Sequence, residues 1–441
     1  MFRSIFAVST LAQAGALLVA ALLAQTAAAN EVLRWNEATV KASATNGQNA
    51  IQMTRTVAMV QVAVHDALNS IRPRHAAYYY EAPAAAGADP QAAVAAATRT
   101  VLAGVVPSFG APPQRTEALA QVEEAYQKAL AALPEGAARQ NGIAAGQAAA
   151  ESILLLRKED GAARASPYTP SSGPGRWRPT PNPDPPNPPI RDPKLAPGLG
   201  ASTLPGWGNV TPFTLLTSVQ FWLPGPPALS SPEYARDFNE VKAVGGQVSS
   251  LRTAEQTAIA RFWFEGPPSW YRLTRAVAEE RRMDPWDSAR ALGVVSLAMA
   301  DGYIAGFKIR YVYDFWRPVT AIREADTDGN DATQADPAWN SLQNTPAVSD
   351  YPSTQSIFSA AAATALAGVI GTDQVAFSMS SGPPFADIRR SYTSLSQAAR
   401  ESADSRIYAG IHFRTACEDG LVLGRKIGQR AVAGFLQPLR N

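Results

Sequence analysis

An all-α fold assembled from helical bundles is predicted by three features of the sequence. Apolar residues recur at helical spacing, as in Val57, Val60, Val64 and Leu68. Alternating strand patterns are scarce throughout. Helix-start signals are explicit: Thr253-Ala254-Glu255-Gln256 is a capping box that opens a helix through Ile259, Phe262 and Trp263. A chain of 441 residues with 46% hydrophobic composition is long enough for a large core. It shows no internal repeat, so bundles rather than a solenoid are the natural architecture.

The chain reads in four stretches. Residues 1–29 have the pattern of a signal peptide: Arg3 gives a short positive start, Ala16 to Ala24 is uninterrupted apolar sequence, and Ala27-Ala28-Ala29 offers small residues for cleavage before Asn30. A retained anchor is the competing reading, because Ser4 to Ala29 carries no charge and reaches the roughly 20 residues of a span. Cleavage implies an exported protein, periplasmic or extracellular. Residues 30–165 form an Ala-rich helical layer of about four helices, broken near Pro107–Gly110 and Pro134–Gly136.

In residues 166–205 the connection is proline-rich, with 12 of the 35 prolines between Pro167 and Pro197, so neither helix nor central strand is expected there. Trp177 and Trp207-Gly208-Asn209 indicate that parts of this region pack against the body. Residues 206–441 form the C-terminal bundle. Its longest apolar run, Ala360 to Ile370, is too short to cross a bilayer and reads as a buried helix, so no integral membrane domain is expected. The formal charge is +2, or +1 without the single Arg3 of the leader, and it excludes a nucleic-acid-binding surplus. Cys417 stands alone, which excludes an internal disulfide and a thiolate metal cluster.

Chemistry concentrates in three short segments of the last third. The first, Arg310-Tyr311-Val312-Tyr313-Asp314-Phe315-Trp316-Arg317-Pro318, places two arginines seven positions apart, two helical turns to within about 20°, so both can project from one helix face. The same spacing also occurs on plain solvated faces. In the second, Tyr351-Pro352-Ser353-Thr354-Gln355, Ser353 stands at the N-cap of the helix that follows, where a hydroxyl and free backbone N–H groups favour an anion; an ordinary cap would look the same. The third, Ser405-Arg406-Ile407-Tyr408-Ala409-Gly410-Ile411-His412, sets one of only three histidines within reach of another arginine. His65 reads as a satisfied core residue, and His75 lies in a turn. A zinc site of His and Cys ligands is excluded by their scarcity.

In this order the three segments resemble the tripartite signature K-x6-R-P, P-S-G-H and S-R-x5-H of the vanadium-dependent haloperoxidases and type 2 phosphatidic acid phosphatases. Further motifs from Trp207-Gly208-Asn209 to Glu418-Asp419-Gly420, including Trp316-Arg317-Pro318-Val319-Thr320-Ala321-Ile322, are similar to the soluble bacterial haloperoxidase-like branch. The resemblance implies the helical-bundle fold of that superfamily and an oxyanion pocket built on Arg310, Arg317, Ser353, Thr354, Gln355, Arg406 and His412. His412 would ligate vanadate as its metal ligand or, with phosphate, act as nucleophile. Arg310, Arg317 and Arg406 would clamp the anion oxygens, and Ser353 would donate a hydrogen bond.

Three positions depart from the signature. Arg310 replaces the Lys, exchanging a compact ammonium for a planar fork. Thr354 replaces the Gly, which hinders close backbone approach. Gln355 replaces the acid/base His, and an amide cannot exchange a proton near neutral pH. Ala416 also stands where many phosphatase relatives have an Asp, for which Glu418 or Asp419 are the nearby substitutes.

The resemblance therefore implies peroxide-dependent oxidation of a halide or organic sulfide with vanadate as cofactor, weakened by Gln355. Its partners would be small molecules, hydrogen peroxide and a halide. The alternatives are a secreted phosphatase that works on a phosphate ester through phospho-His412, and a non-catalytic anion-binding or interaction protein.

Overall fold

The computed structural model describes residues 31–164, 166–180 and 203–439. The leader and residues 181–202 of the proline-rich stretch lie outside the described residues. Among the described residues there are 13 α-helices and one small two-stranded sheet, an all-α fold as the sequence predicts. They fall into two compact units.

The first unit comprises residues 31–156, 274–293 and 436–439. It holds α1 (31–45), α2 (Ala50–Ile71), α3 (Pro90–Val105), α4 (Pro112–Ala131) and α5 (Ala137–Leu156). α2 is its centre: its side chains are buried from Met53 through Ser70, which the apolar spacing of Val57, Val60, Val64 and Leu68 anticipates. Asn49 caps it with a capping box formed with Gln52.

The second unit comprises residues 157–180, 203–273 and 294–435. It contains α6 (Pro232–Val244), α7 (Ala254–Phe262), the first part of α8 (Pro267–Glu280), most of α9 (Pro285–Tyr313), α10 (Pro318–Arg323), α11 (Thr354–Ile370), α12 (Leu395–Tyr408) and α13 (Arg414–Gly434). The expected capping box opens α7, with Thr253 accepting from Gln256 N–H and Gln256 reaching back to the Thr253 N–H. A hairpin pairs Phe377–Ser380 with Arg389–Tyr392, Phe377 opposite Tyr392. α9 is, by length and composition, long and apolar enough to cross a membrane, but its most apolar stretch is 94% buried inside the protein. The apolar run ending at Ile370 belongs to α11, whose residues Ser356 to Ala363 are buried.

Two packing features bring the chemistry-bearing segments together. α11 and α13 pack closely because glycines recur every four residues on α13. A methyl group at Gly424 would sit 2.2 Å from the Ile357 carbonyl oxygen, one at Gly420 would sit 2.7 Å from Ser353 O, and one at Gly428 would sit 2.6 Å from Ala361 O. The N-terminus of α11 is thereby held beside the N-terminus of α13, and Ser353 N–H donates to Ala416 O at 2.9 Å. The second feature is the break after α9. Asp314 adopts a left-handed conformation (φ 50°), and Arg317 is extended, as a residue before proline tends to be. Segment 175–177 pairs with this break, Trp177 N–H donating to Asp314 O and Trp316 N–H to Gly175 O. Trp177 and Trp207 are buried, so these parts of the chain do pack into the body of the unit.

Candidate functional site

The first segment differs from a single helix face. α9 ends at Tyr313 and Pro318 is the first residue of α10, so Arg310 projects from one helix while Arg317 occupies the N-cap of the next. The break removes the rigid relation that seven helical residues would impose. The tertiary partners supply it instead. Arg310 donates from Nη2 to Pro352 O at 2.7 Å, and Arg317 donates from Nε to Val348 O at 2.7 Å and from Nη1 to Ile411 O at 2.6 Å. Each of these carbonyls belongs to a segment that carries other candidate residues, so the arginines are aimed by the segments they serve.

The second segment forms the predicted cap. Ser353 Oγ accepts from Ser356 N–H at 3.4 Å and from Ser356 Oγ at 3.1 Å, which leaves its own hydroxyl proton to donate. Thr354 turns its methyl toward Gly306 of α9, where an added methyl group would meet Thr354 Cγ2 at 2.9 Å. Gln355 donates from Nε2 to Trp263 O at 2.7 Å and to Ser402 Oγ at 3.3 Å. Ser402 in turn meets Ser359, which accepts from Trp270 Nε1. The amide that stands in place of the acid/base histidine is thus committed to a hydrogen-bonded chain linking α11 and α12.

The third segment owes its shape to a Schellman motif at the end of α12. Gly410 N–H donates to Ile407 O and Ile411 N–H to Arg406 O, with Gly410 left-handed at φ 78°. No side chain fits at Gly410, since a methyl there would lie 2.1 Å from Gly245 O. The reversal presents His412 next to Arg317, whose Nη1 lies 2.9 Å from His412 Nε2.

Arg310, Arg317, Ser353, Arg406 and His412 are all buried in one region, and the charges of Arg310, Arg317 and Arg406 all act on His412. Burial pushes the guanidinium of Arg310 down to about 10 and that of Arg406 to about 10; burial and then the Arg310 charge push Arg317 down as well. All three remain cationic at neutral pH. Burial, followed by the charges of Arg317, Arg310 and Arg406, holds His412 well below its ordinary value, so the imidazole is neutral. Tyr303, stacked on Phe358 with centroids 5.3 Å apart, lies within the field of Arg310 and Arg406.

Asp350 is a site residue that motif reasoning missed. It is fully buried, with Oδ1 2.9 Å from His412 Nδ1 and 3.9 Å from Arg317 Nη1. Burial pushes its carboxyl up, against the pull of Arg317 and Arg310. The available signal was an acidic residue three positions before Ser353, in a segment otherwise free of charge from Ala347. Its pairing with a distant histidine is a tertiary fact. The two acids considered from sequence are engaged elsewhere: Glu418 pairs with Arg400 and Arg414, and Asp419 accepts from Tyr351 OH.

Four buried guanidinium nitrogens here have no hydrogen-bond partner among the described residues: Arg310 Nε, Arg317 Nη2, and Arg406 Nε and Nη1. Unpaired buried donors on charged groups are costly, at about 1–3 kcal/mol or more each. A tetrahedral oxyanion is the chemical complement of this donor set: its several oxygens accept from guanidinium forks, and its charge offsets the surplus of three cations over one carboxyl group. The residues present therefore fit vanadate or phosphate. A separate cleft of about 510 Å³, lined by Ala363, Ala367, Asp373, Ser396, Arg400 and Arg425, contains none of the site residues.

Comparison with known proteins bears on the family and the fold. Residues 27–191 match the family model of the vanadium chloroperoxidase N-terminal domain, and residues 290–441 match that of the second helical-bundle domain of the same enzyme. The chain is 27% identical over 343 residues to vanadium chloroperoxidase of Curvularia inaequalis, an alignment covering 65% of this chain and 54% of that protein. The chain thus spans about half the length of this curated relative. Among solved structures, a bacterial vanadium-dependent iodoperoxidase superimposes with a TM-score of 0.77 at 22% identity, covering 94% of this chain and 98% of the other. A bacterial vanadium-dependent chloroperoxidase in its holo form gives a TM-score of 0.68 at 18% identity, covering 87% of this chain and 91% of the other. At these identities the structural likeness establishes the shared fold.

Proposed function

This chain belongs to the vanadium-dependent haloperoxidase family, and from that membership we propose that it binds vanadate at His412 and catalyses peroxide-dependent oxidation of a halide or an organic sulfide. The observation that carries the proposal is the set of four unpartnered, buried guanidinium nitrogens on three arginines whose charges act on a neutral, buried imidazole. Bound vanadate supplies activation of hydrogen peroxide for two-electron oxidation.

The chain's own residues divide the work in this reading. His412 offers a nitrogen lone pair; Arg310, Arg317 and Arg406 neutralise the anion's oxygens; Ser353 donates its hydroxyl proton at the positive end of α11. Thr354 fills space at the same helix end. Gln355 cannot hold or release a proton, so proton delivery at that position is lost and turnover falls by about 10²- to 10⁴-fold relative to a histidine there. That commitment of Gln355 to Trp263 O also favours a second reading, in which the pocket retains vanadate or phosphate without turning over substrate. Export of the chain after cleavage before Asn30 is part of the proposal, and the N-terminal sequence of the protein recovered outside the cytoplasm tests it.

The deciding experiment is vanadate retention after dialysis, measured on the chain starting at Asn30 and on His412→Ala. We expect retention of one vanadate per chain that disappears in the variant, together with vanadate-dependent bromination by the parent. Retention without bromination would select the binding-only reading. Equal retention in parent and variant would overturn His412 as the ligand.

A further inference from the structure

We infer that Asp350 is the positioning residue of this site, holding His412 as the tautomer protonated on Nδ1 so that its Nε2 lone pair faces the three arginines. The donors around Nε2 fix where the proton can be. Arg317 Nη1 lies 2.9 Å from it, and a guanidinium has donors only. Nε2 must therefore present its lone pair. A neutral imidazole carries one N–H, so the proton resides on Nδ1.

Asp350 meets that proton. Nδ1 lies 2.9 Å from Asp350 Oδ1. Both groups are buried and their side-chain approach is close but bent; the main chain of Asp350 also meets the imidazole, and the Phe413 N–H faces the Asp350 carboxyl. In its ionised form, which burial opposes by pushing the carboxyl up to about 7, Asp350 raises the basicity of the nitrogen on the far side of the ring, as carboxylates behind ligating histidines do.

The backbone ties Asp350 to the other site residues. Its N–H donates to Phe315 O at 2.8 Å, two residues before Arg317, and Ser353 follows three residues later on the same stretch of chain. One short segment therefore faces the histidine's Nδ1 and supplies the anion's hydroxyl donor. The residues that follow His412 do not set the tautomer, since Ala416 has no polar group and Glu418 and Asp419 face Arg400 and Tyr351. The inference rests on the oxyanion reading for the purpose of the lone pair. The tautomer itself does not depend on that reading.

The test uses this chain's small number of histidines. In protein labelled with ¹⁵N-histidine and free of vanadate, three imidazoles give three sets of long-range ¹H–¹⁵N correlations, and the set lost in His412→Ala is that of His412. We expect a pyrrole-type Nδ1 and a pyridine-type Nε2 in the parent. In Asp350→Ala, where Arg317 at Nε2 is the remaining side-chain constraint on the ring, the two nitrogens should move toward averaged shifts, and vanadate affinity should fall about 10- to 100-fold. Asp350→Glu should restore both in part. If Asp350→Ala does not fold, Asp350→Asn serves, since its amide can present an NH₂ to Nδ1 and invert the tautomer. A pyrrole-type Nε2 in the parent, or an unchanged His412 pattern in a folded Asp350 variant, would overturn the inference. Failure of the oxyanion reading is separable: the parent would then show the inferred tautomer and retain no vanadate.

Discussion

The molecule contains two buried imidazoles beside buried aspartates, and they are opposites. In the first unit His65 lies on α2 with Nδ1 3.1 Å from Asp66 Oδ1 and Nε2 3.2 Å from the Asn69 amide. Asp66 is itself fully used, accepting the backbone N–H groups of Tyr78, Tyr79 and Tyr80 at 2.7, 2.9 and 2.9 Å. In the second unit His412 and Asp350 make an equally close approach, yet around them stand four unpartnered guanidinium nitrogens. Burial lowers both histidines. The difference is one of satisfaction. A polar cluster whose members answer one another holds structure, whereas a buried cluster that leaves several charged donors unpartnered calls for a ligand.

The sharpest way to break the comparison is to remove the carboxylate of the satisfied site. Asp66→Ala leaves three backbone N–H groups and one imidazole without an acceptor, and we expect a loss of about 3–5 kcal/mol of stability, read from the urea midpoint. Vanadate bound per folded molecule should be unchanged. A variant that kept its stability, or lost vanadate while folded, would show that the two clusters are not divided into structure and function in this way.

What the sequence disclosed follows the same division. Local rules sufficed for the helices, for the caps at Ser353 and Thr253, and for His65 as a satisfied core residue, because each depends on neighbours a few positions away. Arg310, Arg317, Arg406 and His412 were legible as a group through their resemblance to a known signature. Their relative placement was not, since a helix break at Asp314 replaces the single helix face. Asp350 stayed hidden because its partner lies far along the chain. Position 355 was legible as a departure, while the anchorage of Gln355 on Trp263 O and Ser402 Oγ could be seen only in the fold. Gln355→His sharpens this point: an imidazole there restores a proton exchanger, and we expect peroxide-dependent turnover to rise by about 10²- to 10⁴-fold. An unchanged rate in a folded variant would mean that this position serves the link between α11 and α12 alone.

The smallest expected effect is a slope. Burial, its leading cause, lowers His65 below its ordinary value of 6.5, against the opposing pull of Asp66. Below about pH 6.5 the unfolded chain takes up a proton that the folded chain refuses, so this contribution to stability is fully present above that pH and is lost as the pH falls. The steepest loss from one such group is about 1.4 kcal/mol per pH unit. His412 acts in the same sense, while Asp350, whose carboxyl is pushed up, acts in the opposite one: it binds its proton more readily in the folded chain and so supports folding as the pH falls. The two effects oppose each other within the second unit. Replacing His65 with Gln should therefore flatten the fall of the urea midpoint between about pH 6.5 and about pH 5. An equally steep fall in His65→Gln would place the proton uptake elsewhere.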